Sequence, residues 1–212
     1  MQFVEEANKA FIDNDFNLKK CLLRSLTAYT HTYPGFAGEN SNTLVQDPWK
    51  ELTDLLFDEH RIGSLSYNLT SFYRSVHAVR DHWSTDTWRV IREMDEAWNT
   101  AASAKQTSHY KLISAVDNLI TSIMAFISLN RESISREQGW NLLDAGRKTE
   151  QSLLLVSLLR STLVNKEDDQ VEYIMQEAVL KSMEGLVNYR FKYRVHLKMS
   201  LVLDLMLLDP NN

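Results

Sequence analysis

The chain has 212 residues with 23 basic and 28 acidic side chains, a net charge of −5, and only six glycines and three prolines. This length admits one full hydrophobic core, which excludes a disulfide mini-protein and a large multidomain enzyme, and the acidic balance disfavours a general polyanion binder. So few glycines and prolines exclude the turns of a β-sandwich or barrel and the glycine-rich loops that cradle phosphate, so the composition predicts an all-α protein.

The first fifty residues predict one helical segment, a loop and a second helix start. The segment runs roughly from residue 3 to residue 29, with the polar cluster Asp13-Asn14-Asp15 as a candidate interruption because its side chains compete for backbone hydrogen bonds. Residues 33–42 are predicted to form a loop. Asp47-Pro48 then opens a helix, with the aspartate as N-cap and the proline at the first helical position.

Three consecutive segments share an apolar spacing that alternates between steps of three and four residues. This spacing keeps one stripe of each helix facing a partner helix. Ser84 is predicted to cap the second of these helices, and Asp95 is the only polar member of any stripe. The stripes are Ile62, Leu65, Leu69, Phe72, Val76, Val79 and Trp83; Trp88, Ile91, Asp95, Trp98 and Ala102; and Leu112, Val116, Leu119, Ile123 and Phe126.

The last third of the chain predicts two further helices. Ser135 and Gln138 form a capping box before a helix over residues 138–163, a polar turn covers residues 165–169, and a helix runs from about residue 171 into Tyr189. Because no linker interrupts the chain, we predict one domain over residues 1–212, a bundle of about six to eight long, mostly antiparallel helices. Asp209-Pro210 repeats the helix-opening signal just before the sequence stops, which predicts a piece of a longer protein.

The sequence predicts a soluble, cytoplasmic protein that does not cross a membrane. The acidic start, with Glu5 and Glu6, has no positive region followed by an apolar core, so no export signal is predicted. The most apolar stretch, residues 112–129, includes Asp117 and Asn118, which a bilayer would leave unsatisfied. A single cysteine, Cys21, permits no internal disulfide and fits a reducing compartment.

Residue chemistry predicts neither a metal nor a cofactor. A di-metal site in a helical bundle needs a Glu-x-x-His motif, and none of the fourteen glutamates has a histidine three residues on. His77 and Asp81 stand four residues apart and are expected to make a helix-surface contact. Cys21 follows two lysines that lower a thiol pKa, but its Leu-rich surroundings favour a core position over a nucleophile.

A glycine and two charges interrupt the helix predicted after Gln138. Gly146 costs roughly 1 kcal/mol relative to alanine in a helix, so it is expected to mark a close helix crossing. Arg147 and Glu150 fall near the apolar face of Leu143 and Leu154, where buried charges must be paired. This group is therefore either a structural polar network or the floor of an anion or substrate site.

Basic and apolar residues alternate from Tyr189 to Lys198. Cations interleaved with aromatic side chains are typical of surfaces that bind single-stranded nucleic acid. The alternative, which we favour, is a basic helix end whose aromatic residues fill the mouth of the bundle.

Several segments resemble the alpha-E domain family, bacterial all-helical proteins of unknown biochemical activity. The resemblance extends over roughly residues 50–212. His82 and Gln151 stand where the family has arginine, and the family's earlier copy of the G-R-x-x-E-R helix is not found in this sequence. The resemblance therefore implies that helices are missing at both ends. The similar segments are residues 78–88, similar to A-V-R-D-R-x-S-x-x-x-W; residues 136–150, similar to R-D-E-G-W and then G-R-x-x-E-R; residues 57–65; and Leu207-Leu208-Asp209-Pro210.

The resemblance implies a setting in peptide or amide-bond synthesis, because such domains accompany circularly permuted ATP-grasp proteins and transglutaminase-like peptidases. Our leading hypothesis is therefore a binding or scaffolding module beside an ATP-grasp partner, with exposed apolar seams that favour homo-oligomers. The rival is an enzyme in its own right, with Glu150 as general acid or base, Arg147 and Arg80 as anion holders and Asp81 beside them. The third hypothesis is single-stranded nucleic-acid binding through residues 189–198.

Overall fold

The computed structural model describes residues 16–33, 35–36, 48–104, 109–133, 138–164 and 166–209. The regular elements in these ranges are helical, so the predicted all-α class is confirmed. They are α1 (Phe16–Thr30), α2 (Pro48–Phe57), α3 (Leu65–Ala78), a 3-10 turn (Arg80–His82), α4 (Thr85–Ser103), α5 (His109–Ser133), α6 (Gln138–Leu163), α7 (Asp169–Ser182), α8 (Leu186–Tyr193) and α9 (Met199–Leu203), which continues as a π-helical turn (Asp204–Leu208).

The chain divides into two compact units. The central unit comprises Glu51–Glu150, and the terminal unit comprises Met1–Lys50 together with Gln151–Asn212. That residues 1–212 act as a single domain stays a prediction.

The core of the central unit forms where α3, α4 and α5 pack together. Val76, Ile91 and Phe126 are buried in one cluster, with Phe72 and Trp83 partly buried against it. Apolar residues at helical spacing on each of the three helices supply this core, as the stripes predict. Because only one face of α3 packs into this core, the other faces of the helix are available to line concave surfaces.

The ends of α3 lie inside the predicted stripe. Ser64 is buried and accepts a hydrogen bond from the Tyr67 amide (3.0 Å), so the helix begins at Leu65. It ends at Ala78, where the indole N–H of Trp83 donates to the Val76 carbonyl (3.0 Å). A helix that continued over residues 62–83 is therefore wrong, and Ile62 and Val79 are exposed.

The N-caps of α4 and α7 satisfy amides that no helical carbonyl can reach. Ser84 accepts from the Thr87 amide (3.1 Å), which confirms the predicted cap. Asp168 accepts from the amides of Gln170 and Val171, and the pKa of its carboxyl is lowered, mainly by the hydrogen bond from Val171. The aspartate thus sets the start of α7.

The predicted helix from residue 171 into Tyr189 is interrupted. Glu184 adopts a positive φ of 55°, and the Gly185 amide donates to the Leu180 carbonyl (2.7 Å), a bond that closes the end of α7. This arrangement resembles a helix C-terminal cap. The glycine was the sequence signal for the break between α7 and α8.

By length and composition alone, Tyr110–Arg131 of α5 could span a membrane. A core helix of a soluble protein passes the same test, and Leu112, Val116, Leu119 and Phe126 of α5 are buried within the protein. The absence of a membrane-spanning segment stays a prediction.

In the terminal unit, α1 runs antiparallel to the second half of α6. The hydroxyl of Ser25 donates to the Ser161 carbonyl (3.3 Å) and that of Ser157 to the Ala28 carbonyl (2.9 Å). Hydroxyls bonded to carbonyls of the neighbouring helix let small side chains sit at the contact without an unsatisfied donor. An ion pair between Arg24 and Glu167 (3.2 Å) joins α1 to the segment before α7.

Some predictions concern residues outside the described ranges. These are the interruption at residues 13–15, the cap at Asp47, the loop over residues 37–42, the capping box that involves Ser135, and the signal at Pro210.

A buried ion pair fixes the turn between α2 and α3. The guanidinium of Arg61 donates through both terminal nitrogens to the two carboxylate oxygens of Glu51, with one contact at 3.1 Å. The two side chains are only 6% and 7% exposed. The bidentate geometry offsets the cost of removing both charges from water.

We expect Glu51→Ala to lower the free energy of unfolding by about 3–5 kcal/mol, because it leaves the Arg61 guanidinium buried beside a cavity. Urea denaturation followed by circular dichroism measures this loss. Glu93→Ala is the matched control, because Glu93 pairs with Arg89 on the surface at 3.6 Å and its loss should cost about 1 kcal/mol or less. Equal losses in the two variants would contradict the assignment.

Candidate functional site

An open groove of about 890 Å³ lies between α3, α5 and the first half of α6, entirely within the central unit. We call it the apolar groove. Long stretches of apolar wall with a few polar groups are typical of binding sites. Its apolar walls are formed by Leu65, Leu69, Phe72, Met94, Ile123, Phe126, Ile127, Trp140, Leu142 and Leu143.

Polar side chains line the groove at a few points. Asn130 on α5 is only 5% exposed, and its Oδ1 atom is buried without a hydrogen-bond partner. An unsatisfied buried acceptor costs about 1–3 kcal/mol. Arg131 and Glu150 also line the groove and make no ion pair within the part of the chain that the structure describes.

Arg147 and Glu150 do not form the buried pair that the sequence predicts. Both side chains are exposed, and the Arg147 guanidinium donates to Asp144 at 2.6 Å, one turn back on the same helix. Lys148 pairs with the other carboxylate oxygen of Asp144 at 2.9 Å. Hydrogen bonds from Arg147, and then from Lys148, lower the pKa of Asp144. The buried network is wrong because this face of α6 borders an open groove, so its charges stay in water, and the alternative of an anion or substrate site stays a prediction.

Gly146 also differs from its predicted role. A Cβ built at this glycine meets no heavy atom within 4 Å. The residue is exposed and lines the groove, so a close helix crossing at Gly146 is wrong.

Arg80 and Asp81 lie apart from the apolar groove. They occupy the 3-10 turn after α3, where both are exposed and the Arg80 Nε atom is 3.5 Å from the Asp81 carboxylate. Neither residue lines the groove that Arg147 and Glu150 border. His77 contacts the ring of Trp88 (5.0 Å between centroids) and makes no described contact with Asp81. A catalytic role for Glu150, Arg147, Arg80 or Asp81 stays a prediction.

A second concave site, also about 890 Å³, lies between α3 and α4 near the end of α2. We call it the α3–α4 pocket. Its lining mixes aromatic rings with charges of both signs, and Asp95, the polar member of the predicted stripe, is among them. The hydroxyl of Tyr73 is buried there without a partner, and burial, followed by the nearby charge of Asp95, raises the pKa of that hydroxyl.

Glu93 and Glu96 stand three residues apart, the spacing of the Glu-x-x-His motif, and both form ion pairs on the surface of α4. Glu93 pairs with Arg89 (3.6 Å) and Glu96 with Arg92 (4.0 Å). Among the described residues, no three His, Cys, Asp or Glu side chains are placed to hold a metal ion together.

The basic segment over residues 189–198 is a helix end followed by a turn. Tyr189 is fully buried, and its hydroxyl donates to the His196 carbonyl (3.1 Å) and accepts from the Lys198 amide (3.1 Å). Lys192 pairs with Asp204 (3.4 Å) and Asp209 (3.0 Å). The structural interpretation is thus supported for Tyr189 and Lys192, whereas Phe191 and Arg194 are exposed.

Cys21 is a core residue. It is 2% exposed, and burial, together with the charge of Glu167, raises the pKa of its thiol to about 11. Arg24 and Lys20 lower this pKa, but their effect is smaller than that of burial. The lysines before the cysteine therefore do not activate it.

Sequence reasoning missed three polar groups that matter to these sites: Glu51 with Arg61, Tyr73, and Asn130. Glu51 carried a signal, because it falls on the apolar face of α2 with Leu52 and Leu55, where an unpaired carboxylate is costly. Nothing in the pattern singles out Tyr73 or Asn130, since each is unpartnered only because of the side chains that surround it.

Comparison with known proteins gives a family but no solved structure. A family model described as a predicted alpha-helical domain with a conserved ER motif matches residues 4–212. The match covers essentially the whole chain, so the extent expected from the motifs, residues 50–212, is too narrow. No solved structure matches the chain.

Uncharacterised proteins of Mycobacterium bovis and Mycobacterium tuberculosis are 29% identical to the chain over 194 residues. The alignment covers 90% of this chain and 22% of each relative. The chain thus spans about a fifth of the length of these curated relatives.

We expect the Cys21 thiol to react slowly in the folded protein. A pKa of about 11 rather than the ordinary 9.0 lowers the thiolate fraction at pH 8 by about a hundredfold, and burial blocks access as well. Reaction with an aromatic disulfide reagent, followed by absorbance in buffer and in urea, measures the ratio of rates. A native rate within tenfold of the unfolded rate would refute the burial of Cys21.

Proposed function

Because the chain belongs to the Alpha-E family, whose description names a helical domain and no reaction, we propose that it is a helical binding module rather than a catalyst on its own. The observation that carries this proposal is the apolar groove. A concave apolar surface of this size suits a ligand or a segment of a partner protein.

The chemistry of the groove favours an amphipathic segment of a partner protein. Leu142 and Leu143 present apolar surface at its edge, where they are 74% and 44% exposed. An apolar helix face laid between α3, α5 and α6 would cover these side chains and remove them from water. A partner N–H that enters the groove would also satisfy Asn130, if its amide turned to present Oδ1.

Charges at the groove favour a segment with both signs of charge. Arg131 and Glu150 make no ion pair within the described residues, so each would gain a partner from an oppositely charged side chain at the edge of the segment. Such pairs contribute specificity and association rate more than affinity. The curated relatives are several times longer than this chain, so they contain other segments that such a groove could serve.

We propose further that the partner belongs to an ATP-grasp system that forms peptide or amide bonds. Support for this part comes from the resemblance of the sequence motifs alone. In this arrangement the partner supplies the ATP chemistry, and the helical module holds or presents a segment of it.

The rival function is catalysis at the groove, and one observation favours it. Glu150 borders a concave site and makes no ion pair within the described part of the chain, so its carboxylate is available as a general acid or base. Glu150→Gln separates the two hypotheses. Turnover of a peptide by the chain alone, lost in this variant, would replace the binding proposal.

We expect the double substitution Leu142→Asp with Leu143→Asp to weaken binding to a circularly permuted ATP-grasp protein of the same organism by tenfold or more. The reason is that two carboxylates in an apolar interface must lose water without gaining partners. Isothermal titration calorimetry with the purified partner measures the change in Kd.

The matched control replaces Leu153 and Val156 by aspartate. These residues lie on the same helix, are 59% and 49% exposed, and do not line the groove. We expect the control to bind within about threefold of the unmodified chain. The proposal would be overturned if the unmodified chain did not bind the partner, or if both double variants lost binding equally. If the Leu142→Asp and Leu143→Asp variant lost self-association rather than binding to the partner, the groove would be a contact between copies of this chain.

A further inference from the structure

The α3–α4 pocket has a construction that the groove proposal does not use. On α3 its lining residues recur at alternating steps of three and one, which is one face of a helix. On α4 the lining residues follow the same spacing, so two helical faces form opposite walls. The residues that carry the argument are Thr70, Tyr73 and Arg74 on α3 with Asp95 and Trp98 on α4, and Phe57 at the end of α2.

Two contacts set the register of α3 and α4. The Trp98 indole N–H donates to the Ser66 hydroxyl at 2.8 Å near one end, and the rings of His77 and Trp88 are 5.0 Å apart near the other. The helices are therefore antiparallel, and Asp95 lies at the level of Thr70. Arg74 is one turn further along α3, a separation of about 6 Å along the axis.

Arg74 and Asp95 carry opposite charges in one pocket without pairing. No ion pair within 4.0 Å involves either of them in the described part of the chain, and Asp95 accepts a hydrogen bond only from the neutral amide of Asn99 (2.9 Å). Each side chain therefore has hydrogen-bonding capacity for an additional charged group. Tyr73 adds a hydroxyl that has no partner.

Aromatic side chains border the charged part of the pocket. The rings of Phe57 and Trp98 have centroids 5.0 Å apart, and both line the wall next to Ser66. Such a wall accommodates an apolar or aromatic side chain and favours a cation near the indole. Asp58 and Glu59 make this end of the pocket acidic, while Arg74 and His77 lie at the other end.

We infer that the α3–α4 pocket binds a short peptide by recognising both charged termini of the peptide. The terminal ammonium group lies at Asp95 and the terminal carboxylate lies at Arg74. Arg74 lies one turn, about 6 Å along the helix axis, beyond the level of Asp95, and an extended dipeptide of at most about 7 Å is long enough to cover this offset. The side chain of the first residue of the peptide, next to the ammonium group at Asp95, packs against Phe57 and Trp98. This inference does not depend on a partner in the apolar groove.

The test uses the full chain labelled with 15N and three related probes. L-Phenylalanyl-glycine has both terminal charges, its N-acetyl derivative lacks the ammonium group, and its C-terminal amide lacks the carboxylate. Titration followed through the indole N–H signal of Trp98 gives a Kd for each probe. We expect the unmodified dipeptide to bind about tenfold or more tightly than either derivative, because each loses one charge-assisted contact.

Two variants assign the ends of the peptide. In Asp95→Asn we expect the dipeptide and its N-acetyl derivative to bind equally, with the preference for a free carboxylate retained. In Arg74→Gln we expect the dipeptide and its amide to bind equally, with the preference for a free ammonium group retained. Asp117→Asn and Arg160→Gln change exposed charges outside the pocket and should match the unmodified chain.

Several results would overturn the inference. These are a Trp98 signal that no probe shifts at millimolar concentration, equal binding of the three probes to the unmodified chain, or variants that keep both preferences. Both substitutions are close in size to the original side chain, and thermal unfolding confirms that each variant is folded. None of these measurements involves the ATP-grasp partner or the groove leucines, so failure here is distinct from failure of the binding-module proposal.

Discussion

The buried ion pair between Glu51 and Arg61 is the constraint on which the arrangement of the central unit depends. Two charges removed from water cost several kcal/mol each unless they are paired and hydrogen-bonded, so the turn between α2 and α3 has little freedom. Beside the pair, the Ser66 hydroxyl donates to the Leu56 carbonyl (3.0 Å) and accepts from the Trp98 indole (2.8 Å). Polar contacts thus connect α2, α3 and α4 at one end, and this end forms a wall of the α3–α4 pocket.

Helix α3 serves two concave sites because its residues face in different directions. Phe72 and Ser75 face the apolar groove, whereas Tyr73, Arg74 and His77 face the α3–α4 pocket. The buried face of the helix, marked by Val76, packs into the core. A short, capped helix with one buried stripe can therefore contribute side chains to two concave surfaces of different chemistry, one mainly apolar and one charged.

Helix α6 shows how a local pattern can be assigned to the wrong environment. Its charges and leucines were expected to surround a dry ion pair, but Arg147 pairs with Asp144 in water and Leu142 is 74% exposed. The same residues line an edge of the apolar groove, where the leucines are exposed and the charges remain solvated. Glu150, which matches part of the family's motif, thus lines the edge of the apolar groove.

The sequence by itself determined the all-α class, the packed stripes of α4 and α5, and the cap at Ser84. These features depend on interactions between residues three or four positions apart, and such interactions are encoded in the local pattern. The family also followed from local motifs, although over a narrower range than residues 4–212.

Only the tertiary structure decided which charges are buried. Glu51 pairs with Arg61, ten positions away in the sequence. Arg74 and Asp95 line one pocket from two different helices and form no ion pair with each other. Arg147 pairs with Asp144 on its own helix. The spacing of residues predicts which face of a helix a side chain occupies. Whether that face is buried depends on which other elements cover it, and burial in turn determines which hydrogen-bonding partners a polar group needs. The two sites therefore emerged from packing between elements, which no periodicity within a single helix specifies.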